Sequence, residues 1–264
     1  MSNSIAIFKI AWEQGLVYRL NFTLWRVRTV LQFLLVYFIW WTVFQSSSRV
    51  FGYTQESILT YVVILVLIRT IVFSSRATDV MNKINDGSIA SFLLRPIGII
   101  KYYFTQDIAD KLLNIVFMIF EISAILLLLK PHIIIQTNFN NLLLFSAALS
   151  LGIILWFCIN MVISLMAFWV ENSWGPLFLL TIFLEGLGGG IFPIDILPKG
   201  IFEFLMLTPF PYLIYFPAKL YLGGFQTSER IIYFLIFTFW VIIGLILTNW
   251  ILKLGLKHYT SVGN

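Results

Sequence analysis

Long apolar runs with almost no charge decide what this chain can fold into before any motif is considered. A hydrocarbon core of about 30 Å is crossed by roughly 20 helical residues at 1.5 Å each. On that measure six segments qualify: 29–46, 57–75, 112–129, 142–170, 174–192 and 231–252. The chain is 60% hydrophobic and 11% charged, whereas soluble domains run near 45–50% and about 25%. Such an excess has no place in a soluble core, because a water-facing surface needs polar side chains. The sequence therefore predicts an all-α membrane protein of about six transmembrane helices.

The positive charges orient it. With the N-terminus inside, Lys9, Arg19, Arg26, Arg28, Arg76, Lys83, Arg95, Lys101, Lys253 and Lys257 fall in cytoplasmic segments. Arg49, Lys130, Lys199, Lys219 and Arg230 fall outside. Both termini are expected in the cytoplasm, as an even number of spans requires. The net charge of +5 is thus a topology signal, and no basic tract interleaved with stacking aromatics points to nucleic acid. Segment 1–28 has no continuous apolar core of the kind a signal peptide needs. With Trp12, Tyr18 and Trp25 among its charges, it reads as an amphipathic helix in the cytoplasmic interface. Trp40, Trp41 and the tyrosines near span ends read as interface belts and packing.

Two connections are too long for simple turns. In the first, 76–111, a polar opening (Asp79, Asn82, Lys83, Asn85, Asp86, Gly87) is followed by Ile89, Phe92, Leu93 and Leu94, then Arg95-Pro96. Val80, Met81 and Ile84 fall at helical spacing, which predicts a short surface helix ended by Gly87, with Pro96 barring any continuation. The second, 188–229, is rich in Phe, Ile and Leu yet holds prolines at 193, 198, 209, 211 and 217. A helix so interrupted frees backbone groups that hydrocarbon cannot satisfy, so re-entrant short helices packed against protein are expected on the outer side.

Ionisable residues inside spans are expensive and are functional candidates for that reason. Arg69, Asp107, Asp110, Glu121 and Glu185 are the candidates here. Arg69 is placed to snorkel towards the cytoplasm, or to pair with Asp107 or Asp110 across helices. Asp107 and Lys111, four apart, can pair on one helix face. Glu121 is the deepest; a direct transport role competes with helix packing or a hydrogen bond. Glu185 falls near the outer end of the fifth span and Glu171 at the inner mouth of that span.

Missing motifs narrow the chemistry. There is no G-x-x-x-x-G-K-[ST] loop, and Gly188-Gly189-Gly190 lacks the lysine. His132 and His258 are too far apart and too few for a metal site. Cys158 is alone, so it forms no intrachain disulfide and reads as a small buried residue. Neither a zinc-protease spacing nor a G-x-S-x-G elbow is present. No catalytic residue, metal or cofactor is expected on this chain.

Four short stretches carry a resemblance. They are Tyr18-Arg19-Leu20-Asn21-Phe22, Asn85-Asp86-Gly87-Ser88-Ile89 with Leu93-Leu94-Arg95-Pro96, the proline-rich stretch from Pro193 to Gly223, and Leu256-Lys257-His258-Tyr259-Thr260-Ser261. In order and spacing they resemble the permease subunits of ABC-2 type transporters. The resemblance implies an N-terminal interfacial helix (1–28), a permease domain (29–264), a cytoplasmic coupling loop (76–103) and re-entrant helices (188–229) before the last span. It implies that Asp79, Asn82, Lys83, Asn85, Asp86, Gly87 and Ser88 meet a separate ABC ATP-binding subunit, which holds ATP and Mg. A second permease chain, identical or related, and membrane lipid complete the expected partners. The expected function is export of an amphipathic substrate across the cytoplasmic membrane. An ion-coupled secondary transporter, with Glu121 and Arg69 central, and a non-transporting scaffold are the alternatives.

Overall fold

The computed structural model describes residues 2–17, 19–93, 96–170 and 174–259. Helix α1 (Ser2–Val17) is followed by α2 (Arg19–Val43). A hairpin of β1 (Arg49–Val50) and β2 (Tyr53–Thr54) leads into α3 (Gln55–Val72). Phe51 and Gly52 turn the hairpin at positive φ, as a two-residue loop between twisted strands demands. The Thr54 hydroxyl accepts from the Ser57 amide and so starts α3 with a capping box.

Two short helices, α4 (Asp79–Asn85) and α5 (Ile89–Leu93), precede α6 (Ile99–Leu129). Lys130 closes α6 in the left-handed conformation, directly ahead of Pro131. Asn138 caps α7 (Phe139–Leu165), which runs on as a 3-10 turn over Met166–Phe168. Then come α8 (Trp174–Leu187), a 3-10 turn at Ile194–Ile196, and the short helices α9 (Lys199–Leu205), α10 (Phe210–Leu213) and α11 (Tyr215–Tyr221). The long α12 (Thr227–His258) ends the described chain.

Among the described residues, four helical stretches are both long and apolar enough to cross a membrane: α3, α6, α7 with its 3-10 extension, and α12. Together with the near absence of strand this is an all-α membrane fold. The other two expected spans map to α2, whose apolar run is shortened by Arg26 and Arg28, and to α8, whose 14 residues reach about 21 Å.

One end of the molecule gathers α4, α5, the Met166–Phe168 turn and the end of α12. The opposite end carries the hairpin, the 130–138 connection and the 192–226 segment. Three apolar clusters build the core. The largest packs α3, α7 and α12 around Tyr212, Leu213, Ile214, Tyr215 and Phe216, all at most 1% exposed. A second fastens α2 to α3 through Phe33, Val36, Trp40, Ile58 and Val62. The third, at the terminal end, fixes α4 and α5 against α6 and α7.

Several boundaries differ from those expected. The N-terminal segment is two helices, with α1 lying along α6, so Arg26 and Arg28 belong to α2. The third expected span starts at Ile99, because Tyr103, Gln106, Asp107 and Lys111 are buried by protein. The fifth stops at Leu187 instead of 192. Gly189 adopts φ +94, and its carbonyl accepts from the Tyr61 hydroxyl at 2.6 Å, in the middle of α3. A Cβ there would stand 2.6 Å from that hydroxyl and 2.9 Å from Tyr215 Cβ, so only glycine fits. The helix therefore breaks at depth, and 188–191 runs on as irregular chain. Tyr18, Leu94-Arg95, Glu171 and Thr260-Ser261, named above, lie outside the described residues.

Candidate functional site

The loop from Arg76 to Gly98 is built as a two-faced platform. Val80, Met81 and Ile84 of α4, at helical spacing, are buried against Phe157, Met161 and Leu165 of α7. The opposite face shows Asn82, Asn85 and Asp86 to solvent, with Asp79, Lys83, Gly87 and Ser88 half-buried at its edges. Gly87 ends the helix at φ +72, and the Asp86 carboxylate accepts from the Ser88 amide at 2.8 Å. The Ser88 hydroxyl and amide hold that carboxyl below the usual aspartate range. A depressed value means this stabilisation is present at neutral pH and is lost as the pH falls through it. Burial pushes the Asp79 carboxyl up, opposed by Arg76. The Tyr259 hydroxyl donates to the Gly87 carbonyl at 2.7 Å, so the end of the chain clamps the end of α4.

Behind the platform lies a knot of buried charge. Lys111 of α6 pairs with Asp107 at 3.3 Å and donates to the Val72 carbonyl at 2.9 Å and to the Ser74 carbonyl. It thereby caps the last carbonyls of α3, where a cation is favoured. Asp107 accepts from the Arg76 amide at 2.8 Å, and the Arg76 guanidinium meets Asp110 at 3.0 Å. Trp156 of α7 adds a bond to the Phe73 carbonyl at 3.0 Å. The start of the platform is thus tied to α3, α6 and α7 together.

Two further ion pairs lie deeper. Glu121 of α6 takes both ends of the Arg26 guanidinium, at 2.6 and 2.7 Å, and Arg26 also donates to the Asn114 carbonyl at 3.3 Å. Arg69 of α3 donates to Glu185 of α8 at 2.7 Å and to the Gly190 carbonyl at 2.8 Å, while Gln32 holds the other Glu185 oxygen at 2.9 Å. Trp40 donates to the Ile191 carbonyl at 2.9 Å and the Tyr215 amide to the Gly188 carbonyl at 3.0 Å. The irregular chain after α8 is therefore satisfied by protein, as backbone away from water requires.

A cavity of about 180 Å³ opens beside this pair, between α2, α3, α7 and α8. Trp25, Phe73 and Trp156 give it aromatic walls, and Arg28, Gln32 and Glu185 give it polar ones. Across the molecule, at the end bearing the hairpin, Asp195 accepts from Tyr53 at 2.7 Å and from Lys219 at 2.6 Å. Burial, then the Asp195 carboxylate, pushes the Tyr53 phenol above its ordinary range, so it remains a donor.

The structure corrects two expected placements. Arg69 neither snorkels nor meets Asp107 or Asp110: it is 12% exposed and reaches α8, because those carboxylates are already taken by Lys111 and Arg76. Glu185 does fall near the end of α8, but beside Arg69 in the last turn of α3, because α8 stops at Leu187. Asp107 and Lys111 do pair along one face. Sequence reasoning missed Arg26 as the counter-ion of Glu121 and Gln32 as the second ligand of Glu185. The only signal was that a deep carboxylate needs a partner; nothing in spacing selects one 95 residues away. No cluster of ligands for a metal ion occurs among the described residues.

The profile of a family described as "ABC-2 family transporter protein" matches residues 30–263. Neither the comparison with curated proteins nor that with solved structures gives a match.

Proposed function

The chain belongs to the ABC-2 transporter family, and on that premise we propose that it is the permease subunit of an ATP-driven exporter in the cell membrane. It is a multi-pass membrane protein of a family whose membrane subunits work with an ATP-binding subunit. In this reading two permease chains pair and two separate ATPases bind ATP and Mg on the cytoplasmic side. The end of the molecule that gathers α4, the Met166–Phe168 turn and the end of α12 is the cytoplasmic side in this reading.

The observation that carries the proposal is the two-faced α4. Its apolar side is fixed to α7, and its N-terminal end is bonded through Arg76 and Asp107 to α6. Its polar side exposes Asn82, Asn85 and Asp86. A displacement applied there by a closing ATPase reaches α3, α6 and α7 through buried charge that breaks only at high cost. That is a lever. The mixed aromatic and charged walls of the α2–α8 cavity suit the head of an amphipathic substrate. The exposed apolar faces of α2 (Leu31, Leu35, Phe38) and α8 (Phe178, Ile182) offer room for the second chain.

The ion-coupled alternative is weakened by Glu121 itself. A proton-carrying carboxylate must be protonated once in each cycle, which weakens an ion pair, and Glu121 is tied to Arg26 through two short bonds. Purification of the tagged chain from native membranes in mild detergent, with mass spectrometry of the bound proteins, tests the proposal. A Walker-motif ATPase should be retained, and replacement of residues 85–88 should release it. Recovery of the chain without any ATPase, intact and folded, would overturn the reading.

A further inference from the structure

A groove of about 410 Å³ runs down the outside of the molecule between α7 and α12, starting at the end that bears the hairpin. Its upper rim is polar: Asn140 in the first turn of α7, and Thr227 and Arg230 in the first turn of α12. Its lower walls are Leu144, Ile231, Phe234 and Leu235, with Thr238 closing the far end. Residues 227–238 cover three turns of α12, so the groove extends about 16 Å along the helix axis. Ile231 and Leu235 are 59% and 66% exposed, and both helices are long and apolar enough to cross a bilayer. The groove therefore opens towards lipid.

Arg230 decides what the groove can hold. Its Nε donates to the Phe225 carbonyl at 2.9 Å and one terminal nitrogen donates to Asn141 at 3.2 Å. These two bonds fix the guanidinium at the mouth and leave the other terminal nitrogen to a ligand, since the fork has five donors. The neighbouring Glu229 is committed to the Gln226 amide at 2.8 Å, and no carboxylate lines the groove among the described residues. Among the described residues, Arg230 thus stands without a carboxylate partner at the polar end of an apolar channel. A fixed guanidinium binds phosphate through charge-assisted hydrogen bonds, and phosphate is the anion that lipid brings to such a mouth.

We propose that this groove is a binding site for one anionic phospholipid of the surrounding leaflet, its phosphate on Arg230 and one acyl chain along Phe234 and Leu235. The site goes beyond the transport reading and does not depend on it. The lipid would fill the seam between the start of α7 and the start of α12 and hold the two helices at a fixed separation.

Native mass spectrometry of the purified chain with equal amounts of phosphatidylglycerol and phosphatidylcholine tests the site. The wild type should retain phosphatidylglycerol about tenfold over phosphatidylcholine, because both lipids offer a phosphate to Arg230 but only choline sets a second cation beside it. Arg230→Gln should bring that ratio close to one, and Arg230→Lys should preserve part of it. Leu235→Trp, which fills the channel without touching the guanidinium, should lower retention of both lipids and keeps the test open if Arg230→Gln does not fold. Inorganic phosphate at millimolar concentration should not displace the lipid. An unchanged preference in Arg230→Gln, a wild type without preference, or displacement by free phosphate would each overturn the proposal.

Discussion

Glu121 shows what a single residue can and cannot announce. Its depth in an apolar run makes a partner necessary, and nothing in the sequence selects one. The choice of Arg26 became visible only once α2 was seen to begin at Arg19 and to lay its first turns against α6. Removing one member of such a pair leaves a buried charge alone, at a cost of about 3–5 kcal/mol. Glu121→Gln is therefore expected to lower the melting temperature in detergent strongly, while Arg26→Met with Glu121→Leu together should recover most of the loss. Thermal unfolding followed by tryptophan fluorescence reads both. Gly189 makes a second demand at this scale. Gly189→Ala must accept φ +94 and a clash with the Tyr61 hydroxyl, so it should unfold more readily than Gly98→Ala, whose added methyl meets open space. Equal stability of the two variants would contradict the account of the break after α8.

At the scale of elements, α4 was the most legible part of the chain. Val80, Met81 and Ile84 predicted its buried face, Gly87 predicted its end, and both are as observed. The break of α8 was not legible in position, because the glycines that cause it also read as the ordinary end of a span. Only the donors of Tyr61, Arg69 and Trp40 mark it as a buried turn. The two faces of α4 predict separable defects. Met81→Ala removes a fully buried side chain and should cost about 2–5 kcal/mol of stability, whatever partner is present. Asn82→Ala should leave the stability within about 0.5 kcal/mol of wild type but reduce retention of an ATPase several-fold in pull-down. Tyr259→Phe deletes one hydrogen bond, worth about 1 kcal/mol. Hydrogen exchange should then rise at residues 84–90 without rising in α7. Loss of stability in the polar-face variant would place that face inside the fold instead of on a partner.

At the scale of the whole molecule, the apolar runs were enough to give an all-α membrane fold, and the family match over residues 30–263 agrees with the resemblance carried by the loop and the proline-rich segment. The number of full crossings was less legible, since length and apolarity select four helical stretches while α2 and α8 depend on how protein satisfies their charged and broken ends. Substrate identity has no signature in the sequence, and the cavity between α2 and α8 that we propose for its head is assembled from four helices that no local motif encodes. The central claim is that ATP hydrolysis on a partner drives this chain through α4, with Glu121 serving only structure. Transport assayed in proteoliposomes containing the permease, its ATPase and a fluorescent amphiphile tests it most directly. The account predicts uptake that requires ATP, is abolished by replacing residues 85–88, and continues in folded Glu121→Gln protein. Uptake driven by a proton gradient without ATP, and lost in Glu121→Gln, would contradict it.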